Sequence, residues 1–314
     1  MQYTTLGRTN LKVSVAGLGG GGHSRLGLRL DKSIDEALTV ARYAFDQGIN
    51  LFDTAQSYGT EPVLAKLLDS VPREKIVIST KAGIGWMGPI IVTPAQFAKN
   101  IDDRLTQLNT DYLDVMYIHG LHPDLAEQAI QDIVPVMQKA RDAGKVRFIG
   151  VTEMFEHDFT HQMLQRVLPH DCFDVVMLGF NILNQTARDT VLPIIQKQNV
   201  GTMAMFAIRQ ALSKPDRFIE IINQLVTEGK VDPSQINAAN PLDFLIHHNG
   251  HADIIDACYR FCRDEPGINT VLTGTSSIDH LTSNIQSLTA APLPTDHRQK
   301  LIDIFRKVDH LCGN

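Results

Sequence analysis

The chain has 314 residues, of which 43% are apolar and 20% are charged, a composition typical of a globular protein with a large core. The formal net charge is −6 and no segment is rich in Lys and Arg, so a nucleic-acid partner is not expected. No window offers the ~20 apolar residues of a membrane-spanning helix, and the first residues lack the pattern of a secretory signal. We therefore expect a cytoplasmic protein without a membrane partner.

The four cysteines are too few for a disulfide framework. Cys258 and Cys262 lie one helical turn apart, and His247, His248 and His251 precede them, so a metal site can be drawn. The apolar neighbours of the two cysteines instead indicate a buried helix in which cysteine packs as a small hydrophobic residue. We expect no metal.

Eight short apolar runs alternate with longer stretches of helical periodicity. The runs are Ser14–Gly19, Ile49–Asp53, Ile76–Thr80, Tyr112–His119, Val146–Val151, Phe173–Leu178, Val200–Phe206 and Thr270–Thr273. Such runs are typical of parallel strands buried on both faces, and eight of them predict a (β/α)8 TIM barrel, an α/β fold that forms one domain over residues 1–314. The alternative is an open doubly wound sheet, but no periodic helix opens after the glycines of Gly17–Gly22. We interpret those glycines as a loop at the barrel mouth.

Helix signals lie between the strands. Ser33 and Glu36 have the spacing of a capping box, and that helix would end at Gln47 before Gly48. The other predicted helices are Pro94–Leu108, Leu125–Ala143, Asp158–Leu168, Thr186–Gln198, Pro215–Glu228, Pro241–Arg263 and Asp279–Leu288.

Two segments exceed the eightfold pattern. Residues 1–13 read as an N-terminal hairpin that could plug the closed end of the barrel. Residues from about 207 to 268 form a helical insertion between strands 7 and 8. A connection of that length is usually functional, so we expect it to lie over the active-site face.

Polar residues follow three successive strands at the end of the barrel where catalytic residues lie. Asp53 ends the second strand, Lys81 the third and His119 the fourth, and Tyr58 comes five residues after Asp53. Each alone could be structural, but three such residues on adjacent strands, together with a tyrosine in the following loop, indicate a catalytic site.

The chemistry of these residue types is consistent with proton transfer to a carbonyl oxygen. A tyrosine has a pKa near 10, and an ammonium beside it stabilises the phenolate and lowers that pKa. Asp53 would hold Lys81 beside Tyr58, and His119 would orient and polarise the carbonyl. No side chain supplies a hydride, so a hydride-carrying cofactor is implied.

The sequence resembles the aldo-keto reductase family over nearly its whole length. The resemblance is carried by Asp53–Gly59, Ile78–Gly83, Tyr117–His119, Arg147–Thr152 and Leu272–Ser277. It implies catalytic roles for Asp53, Tyr58, Lys81 and His119 and a metal-free reaction with NADP(H) or NAD(H). The expected substrate is a small aldehyde, ketone or sugar.

The expected nicotinamide contacts depart from the family pattern. Thr152 and Glu153 stand where the family usually has Ser-Asn, and Met177 stands where it has Gln. Either Met205 or Phe206 would take the place of the ring that stacks on the nicotinamide, and the sequence does not decide between them.

The last predicted strand bears on the choice of cofactor. The resemblance implies cofactor contacts from Gly274, Ser276 and Asn284, with phosphate held at a helix N-terminus. Members that prefer NADP(H) usually have Arg or Lys where this chain has Ser276. This favours NAD(H) and resembles the sugar 1-dehydrogenase branch, although Arg209 could still supply positive charge to the cofactor.

Trp86, in the loop after Lys81, is a candidate for a wall of the substrate site.

Two alternatives to a carbonyl reductase stay open. One is an NAD-dependent aldose 1-dehydrogenase, and the other is a cofactor-binding regulatory subunit with little turnover. A metal-dependent hydrolase built on His119 and His122 would need acidic ligands that the strand ends do not supply.

Overall fold

A computed structural model describes residues 1–85, 92–237, 240–245 and 254–313. The strands are β1 (Tyr3–Thr5), β2 (Lys12–Ser14), β3 (Ala16–Gly19), β4 (Leu51–Asp53), β5 (Val77–Gly83), β6 (Leu113–Leu121), β7 (Val146–Glu153), β8 (Val175–Gly179), β9 (Gly201–Met205) and β10 (Thr270–Thr273). Strands β3 to β10 are parallel and close into a barrel in which β10 pairs with β3. The predicted (β/α)8 barrel is confirmed, and each of its eight strands overlaps a predicted apolar run.

Helices connect and surround these strands. The α-helices are α1 (Ile34–Asp46), α2 (Glu61–Leu68), α3 (Pro94–Leu108), α4 (Ala126–Asp132), α5 (Val134–Asp142), α6 (Gln162–Val167), α7 (Ala187–Thr190), α8 (Leu192–Gln198), α9 (Gln210–Ser213), α10 (Pro215–Thr227), α11 (Ile254–Arg263), α12 (Ile278–Thr289) and α13 (Thr295–Phe305). The capping box at the start of α1 is confirmed, because Ser33 Oγ accepts from the Glu36 amide while the Glu36 carboxylate accepts from the Ser33 amide. Within the described ranges no helix is both long and apolar enough to cross a membrane.

Four predicted helices differ from the observed ones. The helix predicted over 158–168 begins only at Gln162. The helix predicted over 125–143 is divided into α4 and α5, and the one over 186–198 into α7 and α8. Pro135 and Pro193 lie just after these breaks, where each lacks the amide that a continuous helix would need. Of the helix predicted over 241–263, the described residues show a 3-10 turn at Asp243–Leu245 and then α11.

The N-terminal hairpin closes one end of the barrel. β1 and β2 pair antiparallel, and Leu6, Leu11 and Val13 pack against the inward side chains of the barrel strands. Gly7 has φ +49°, and a Cβ on it would lie 2.3 Å from the amide nitrogen of Gly201 at the start of β9. A glycine is therefore required for the hairpin loop to reach the N-terminal end of the strands.

The opposite end of the barrel carries the predicted catalytic residues. Asp53 pairs in register with Ser79, and His119 pairs with Gly83. Lys81 is two residues beyond Ser79 on the same face of β5, since side chains alternate along a strand. The ends of β4, β5 and β6 therefore direct three functional groups into the same part of the barrel mouth.

Candidate active site

Asp53 and Lys81 form a buried ion pair at the base of the site. Lys81 Nζ lies 2.5 Å from Asp53 Oδ2 and donates to the carbonyl oxygen of Thr54 at 2.8 Å. Ser79 Oγ donates to Asp53 Oδ1 at 2.7 Å. Lys81 is 1% exposed and Asp53 3%. Because a lysine ammonium has three donors, Lys81 is fixed by two acceptors and keeps a third N–H for the site.

Tyr58 and His119 complete the cluster. The hydroxyl of Tyr58 lies 3.2 Å from His119 Nε2, and the two rings are nearly perpendicular at 87°. Lys81 Nζ lies 4.9 Å from the centre of the Tyr58 ring. The structure therefore brings together all four residues that the sequence predicts to be catalytic.

Burial and charge act in opposite directions on the acid groups. Burial raises the pKa of Tyr58, and the Lys81 ammonium works against this rise. Burial likewise raises the pKa of Asp53, opposed by Lys81 and by the hydrogen bond from Ser79. The lowering of the Tyr58 pKa that the sequence predicts is thus present as a contribution from Lys81, but desolvation outweighs it.

His119 is neutral at physiological pH. Burial lowers the pKa of its imidazole to about 3, and the Lys81 ammonium adds to the effect. A neutral imidazole donates from one ring nitrogen and accepts at the other. His119 can therefore take part in a hydrogen bond with Tyr58 or with a substrate oxygen without changing the charge of the site.

We expect the stability of the protein to fall below pH 6.5 partly because of His119. The folded-state pKa of about 3 lies below that of an unfolded histidine, so the unfolded chain binds the proton first as the pH falls. His119→Gln removes this dependence. Urea unfolding at pH 7 and pH 5 should show the wild type losing about 1 kcal/mol relative to the variant, a value reduced because the ring is partly exposed. Parallel losses would contradict the neutral assignment.

A cavity of about 330 Å³ opens beside His119. It is lined by Gln56, Ser57, Gly83, Gly85, Val92 and His119. This volume is at the lower end of the range for small-molecule sites, roughly 300–1,000 Å³. Trp86, the predicted substrate wall, lies outside the described residues.

The two residues at the end of β7 point to opposite faces of the barrel. Thr152 is on the inner face with Phe148, and its Oγ1 accepts from the Gly120 amide at 2.7 Å. Glu153 is on the outer face, where its carboxylate contacts His161 Nδ1 at 2.8 Å and accepts from the Gly179 amide at 2.6 Å. Both carboxylate oxygens of Glu153 are engaged away from the barrel axis, a geometry that does not suit the cofactor contact expected from the sequence.

The end of β9 separates the two candidates for the nicotinamide face. Met205 packs against the inner cluster of the barrel. Phe206 has φ +64° and packs on Phe155, with ring centres 5.9 Å apart. Arg209 lies over the Phe206 ring, with its guanidinium 4.1 Å from the ring centre, and forms an ion pair with Glu156. Met205 is therefore the residue that faces the barrel axis.

Glycines at the end of β3 and in the loops that follow β3 and β10 form one rim of the mouth, which consists of Gly19–Gly22 and Gly274. A Cβ on Gly21 would lie 2.4 Å from the Tyr58 ring, and a Cβ on Gly274 would lie 3.0 Å from the carbonyl oxygen of Gly19. A side chain at either position would therefore crowd its neighbour within the rim, and the exposed Gly22 and Gly274 leave backbone open to solvent there.

Ser276 and Asn284 flank the end of β10 on the side of α12. The Asn284 amide donates to Thr273 Oγ1 at 2.7 Å and so fixes the end of the strand. The carbonyl oxygen of Ser276 accepts from Lys32 Nζ at 2.9 Å. A cation is thus present beside Ser276, supplied by another part of the chain.

Sequence reasoning missed three residues that shape the site. Ser79 could have been found, because it lies two residues before Lys81 and therefore shares its strand face. The contacts of Lys32 with Ser276 and of His161 with Glu153 leave no local signal. The first joins residues 244 positions apart, and the second depends on how a loop folds back on its strand.

The structure gives no support for the cysteine-based metal site. Over residues 1–85, 92–237, 240–245 and 254–313 there is no group of three His, Cys, Asp or Glu residues that could hold a metal ion. Cys262 is fully buried, and its thiol donates to the carbonyl oxygen of Phe180. His247, His248 and His251 lie outside the described residues.

The fold is a (β/α)8 barrel with an acid, an ammonium, a phenol and an imidazole at its mouth, and comparison with known proteins identifies the family. The profile of the Aldo/keto reductase family matches residues 17–304. The chain therefore belongs to the aldo/keto reductase family and is an oxidoreductase.

Individual relatives are distant. The chain is 28% identical to the L-galactose dehydrogenase of Arabidopsis thaliana over 297 residues, which cover 92% of this chain and 88% of the relative. It is 26% identical to the NADH-specific methylglyoxal reductase of Escherichia coli over 232 residues, which cover 68% of this chain and 69% of that relative. Among solved structures, the holo form of aldo-keto reductase AKR11C1 from Bacillus halodurans matches with a TM-score of 0.75 at 21% identity, covering 97% and 96%.

Proposed function

We propose that the protein transfers a hydride between NAD(P)(H) and a small aldehyde, ketone or sugar carbonyl, with Tyr58 as the general acid and base. The observation that carries the proposal is the cluster of Tyr58, His119, Lys81 and Asp53 at one edge of a 330 Å³ cavity. The family match supports the same reaction class.

Each residue of the cluster has a distinct task in this proposal. Tyr58 OH and His119 Nε2 are 3.2 Å apart, so one carbonyl oxygen can accept hydrogen bonds from both positions. Tyr58 gives its proton to that oxygen during reduction and takes it from the alcohol during oxidation. Lys81 stabilises the phenolate that is left, and Asp53 fixes the ammonium in place.

The remaining parts of the mouth would hold the cofactor. When bound, the nicotinamide supplies or accepts the hydride. Thr152 and Met205 face the barrel axis where the nicotinamide ring would lie, and the rim formed by Gly19–Gly22 and Gly274 would accommodate the ribose and phosphates. Arg209, which the sequence suggests as a positive charge for the cofactor, is engaged with Glu156 and Phe206 and has no part in this proposal.

Oxidation of a sugar at its anomeric carbon is a second candidate. Gln56 and Ser57 line the cavity beside His119, and residues of these types can hydrogen-bond to the hydroxyl groups of a sugar. One relative of this chain is named as an L-galactose dehydrogenase, which supports the same substrate class.

The test combines cofactor binding with turnover. Calorimetric titrations with NADH, NADPH, NAD+ and NADP+ should show binding of at least one cofactor pair. Absorbance at 340 nm should then report oxidation of the reduced cofactor with methylglyoxal or glyceraldehyde, or reduction of the oxidised one with L-galactose. Binding without turnover on either panel would favour the regulatory alternative, and a folded sample that binds none of the four would overturn the proposal.

A further inference from the structure

The loop between β3 and α1 places a cation against the loop that follows β10. Lys32 Nζ donates to the carbonyl oxygen of Ser276 at 2.9 Å, two residues beyond Gly274. Lys32 is half-buried, so its ammonium is held at the rim of the mouth and is also open to solvent. Two of its three N–H donors are not used by this contact.

The stem of Lys32 is held in position by its own loop. Gly27 has φ +106°, and a Cβ there would lie 2.6 Å from Lys32 Cδ, so the glycine leaves the space through which the side chain runs. The Lys32 amide donates to the carbonyl oxygen of Gly27 at 3.2 Å. The helix that follows the loop is also fixed, since Tyr43 on α1 and Thr282 on α12 hydrogen-bond at 2.7 Å. The ammonium is therefore preorganised beside Ser276.

Lys32 lies at the part of the rim that the adenosine end of an extended dinucleotide would reach. The reactive end of the cofactor must reach Tyr58, and the glycine rim starts at the Tyr58 ring with Gly21 and continues to Gly274. A dinucleotide that follows this rim places its adenosine end beyond Gly274, beside Ser276. Lys32 then lies where a phosphate on the adenosine ribose would be met by a positive charge.

We propose that Lys32 binds the 2′-phosphate of NADP(H) and so determines the choice between the two cofactors, an inference that rests on the proposed function. Ser276 carries no charge of its own, and Lys32 replaces the cation that this position lacks. The carboxylate of Glu36, whose pKa the Lys32 charge helps to lower, is engaged by the amide and hydroxyl of Ser33. The ammonium is thus available to a phosphate, and the protein should bind NADP(H) in preference to NAD(H).

Calorimetry on the full-length chain tests this assignment without requiring turnover. The probes are NADP+, NAD+, adenosine 2′,5′-bisphosphate and 5′-AMP. Lys32→Met should weaken binding of NADP+ and of the bisphosphate by about tenfold to a hundredfold, the usual worth of a hydrogen bond to a charged group, and should change NAD+ and 5′-AMP by less than about twofold. Lys32→Arg should keep most of the preference, because the charge is retained.

Arg29 offers a matched control on the same loop. It is exposed, and Arg29→Met should leave all four affinities within about twofold of the wild type. Thermal unfolding of each variant reports whether the loop change affects the fold. Equal weakening of NADP+ and NAD+ by Lys32→Met, or no change in either, overturns the assignment, as does a wild type that prefers NAD+. Those results would leave the proposed function intact, whereas failure to bind any of the cofactors would remove the proposed function itself.

Discussion

Tyr58→Phe should lower kcat by about a hundredfold to ten-thousandfold while leaving the affinity for cofactor within about twofold. The substitution removes one oxygen atom, and with it the proton that the carbonyl oxygen would receive, a contribution that typically accounts for such a loss. The ring remains in contact with Lys81 and His119, so the shape of the site is retained. Steady-state rates and calorimetric titrations on the same samples measure both quantities.

Tyr3→Phe is the matched control for this variant. Tyr3 lies in the N-terminal hairpin at the opposite end of the barrel, where its hydroxyl donates to the carbonyl oxygen of Gly48. Its loss should leave kcat unchanged. If Tyr58→Phe retained more than about a tenth of the wild-type kcat, the general acid would have to be another group, and the role given to Tyr58 would be withdrawn.

Lys81→Met should lower the free energy of unfolding by about 3 kcal/mol and also abolish measurable turnover. Removing one partner of a buried ion pair leaves the other without compensation, a cost of about 3–5 kcal/mol. Asp53 keeps its hydrogen bond from Ser79, and burial already raises its pKa, so protonation of the carboxylate limits the loss. Urea unfolding at pH 7 measures the change.

The double variant Asp53→Asn with Lys81→Met separates charge from packing. It should be more stable than Lys81→Met alone, because no unpaired carboxylate remains buried. The exposed pair of Lys66 and Asp35 provides a control, since Lys66→Met should change stability by less than about 0.5 kcal/mol. A double variant no more stable than the single one would show that the loss comes from packing around Lys81.

The barrel was predictable because its strands are buried on both faces and read as continuous apolar runs between capped helices. The proposed catalytic cluster was predictable for a related reason. Asp53 ends β4, while Lys81 and His119 lie two residues before the ends of β5 and β6, and the ends of parallel strands meet at one rim whatever the detailed packing. The helix breaks before Pro135 and Pro193 were also readable from the proline rule, but the apolar periodicity that continues across them masked the signal.

Other parts of the site depend on contacts that no local pattern encodes. The orientation of Glu153 depends on its contact with His161. His161 itself has left-handed backbone angles at the start of α6, and this conformation places it beside the strand. The net rise in the Tyr58 pKa follows from the depth of burial, which sequence spacing does not reveal. The contact between Lys32 and Ser276 exists only because the barrel closes and brings its first and last strands together.

That closure has a consequence for the order in which the protein can be completed during synthesis. β3 can pair with its second neighbouring strand only after β10 has been synthesised. Thr270 Oγ1 then donates to the carbonyl oxygen of Ser14, 256 positions earlier in the chain. Until then the nascent chain carries two open strand edges, which are templates for pairing with other chains. Asp53, Tyr58, Lys81 and His119 are all translated well before this step. A truncated chain can therefore contain all four residues of the proposed catalytic cluster and still lack a closed barrel mouth.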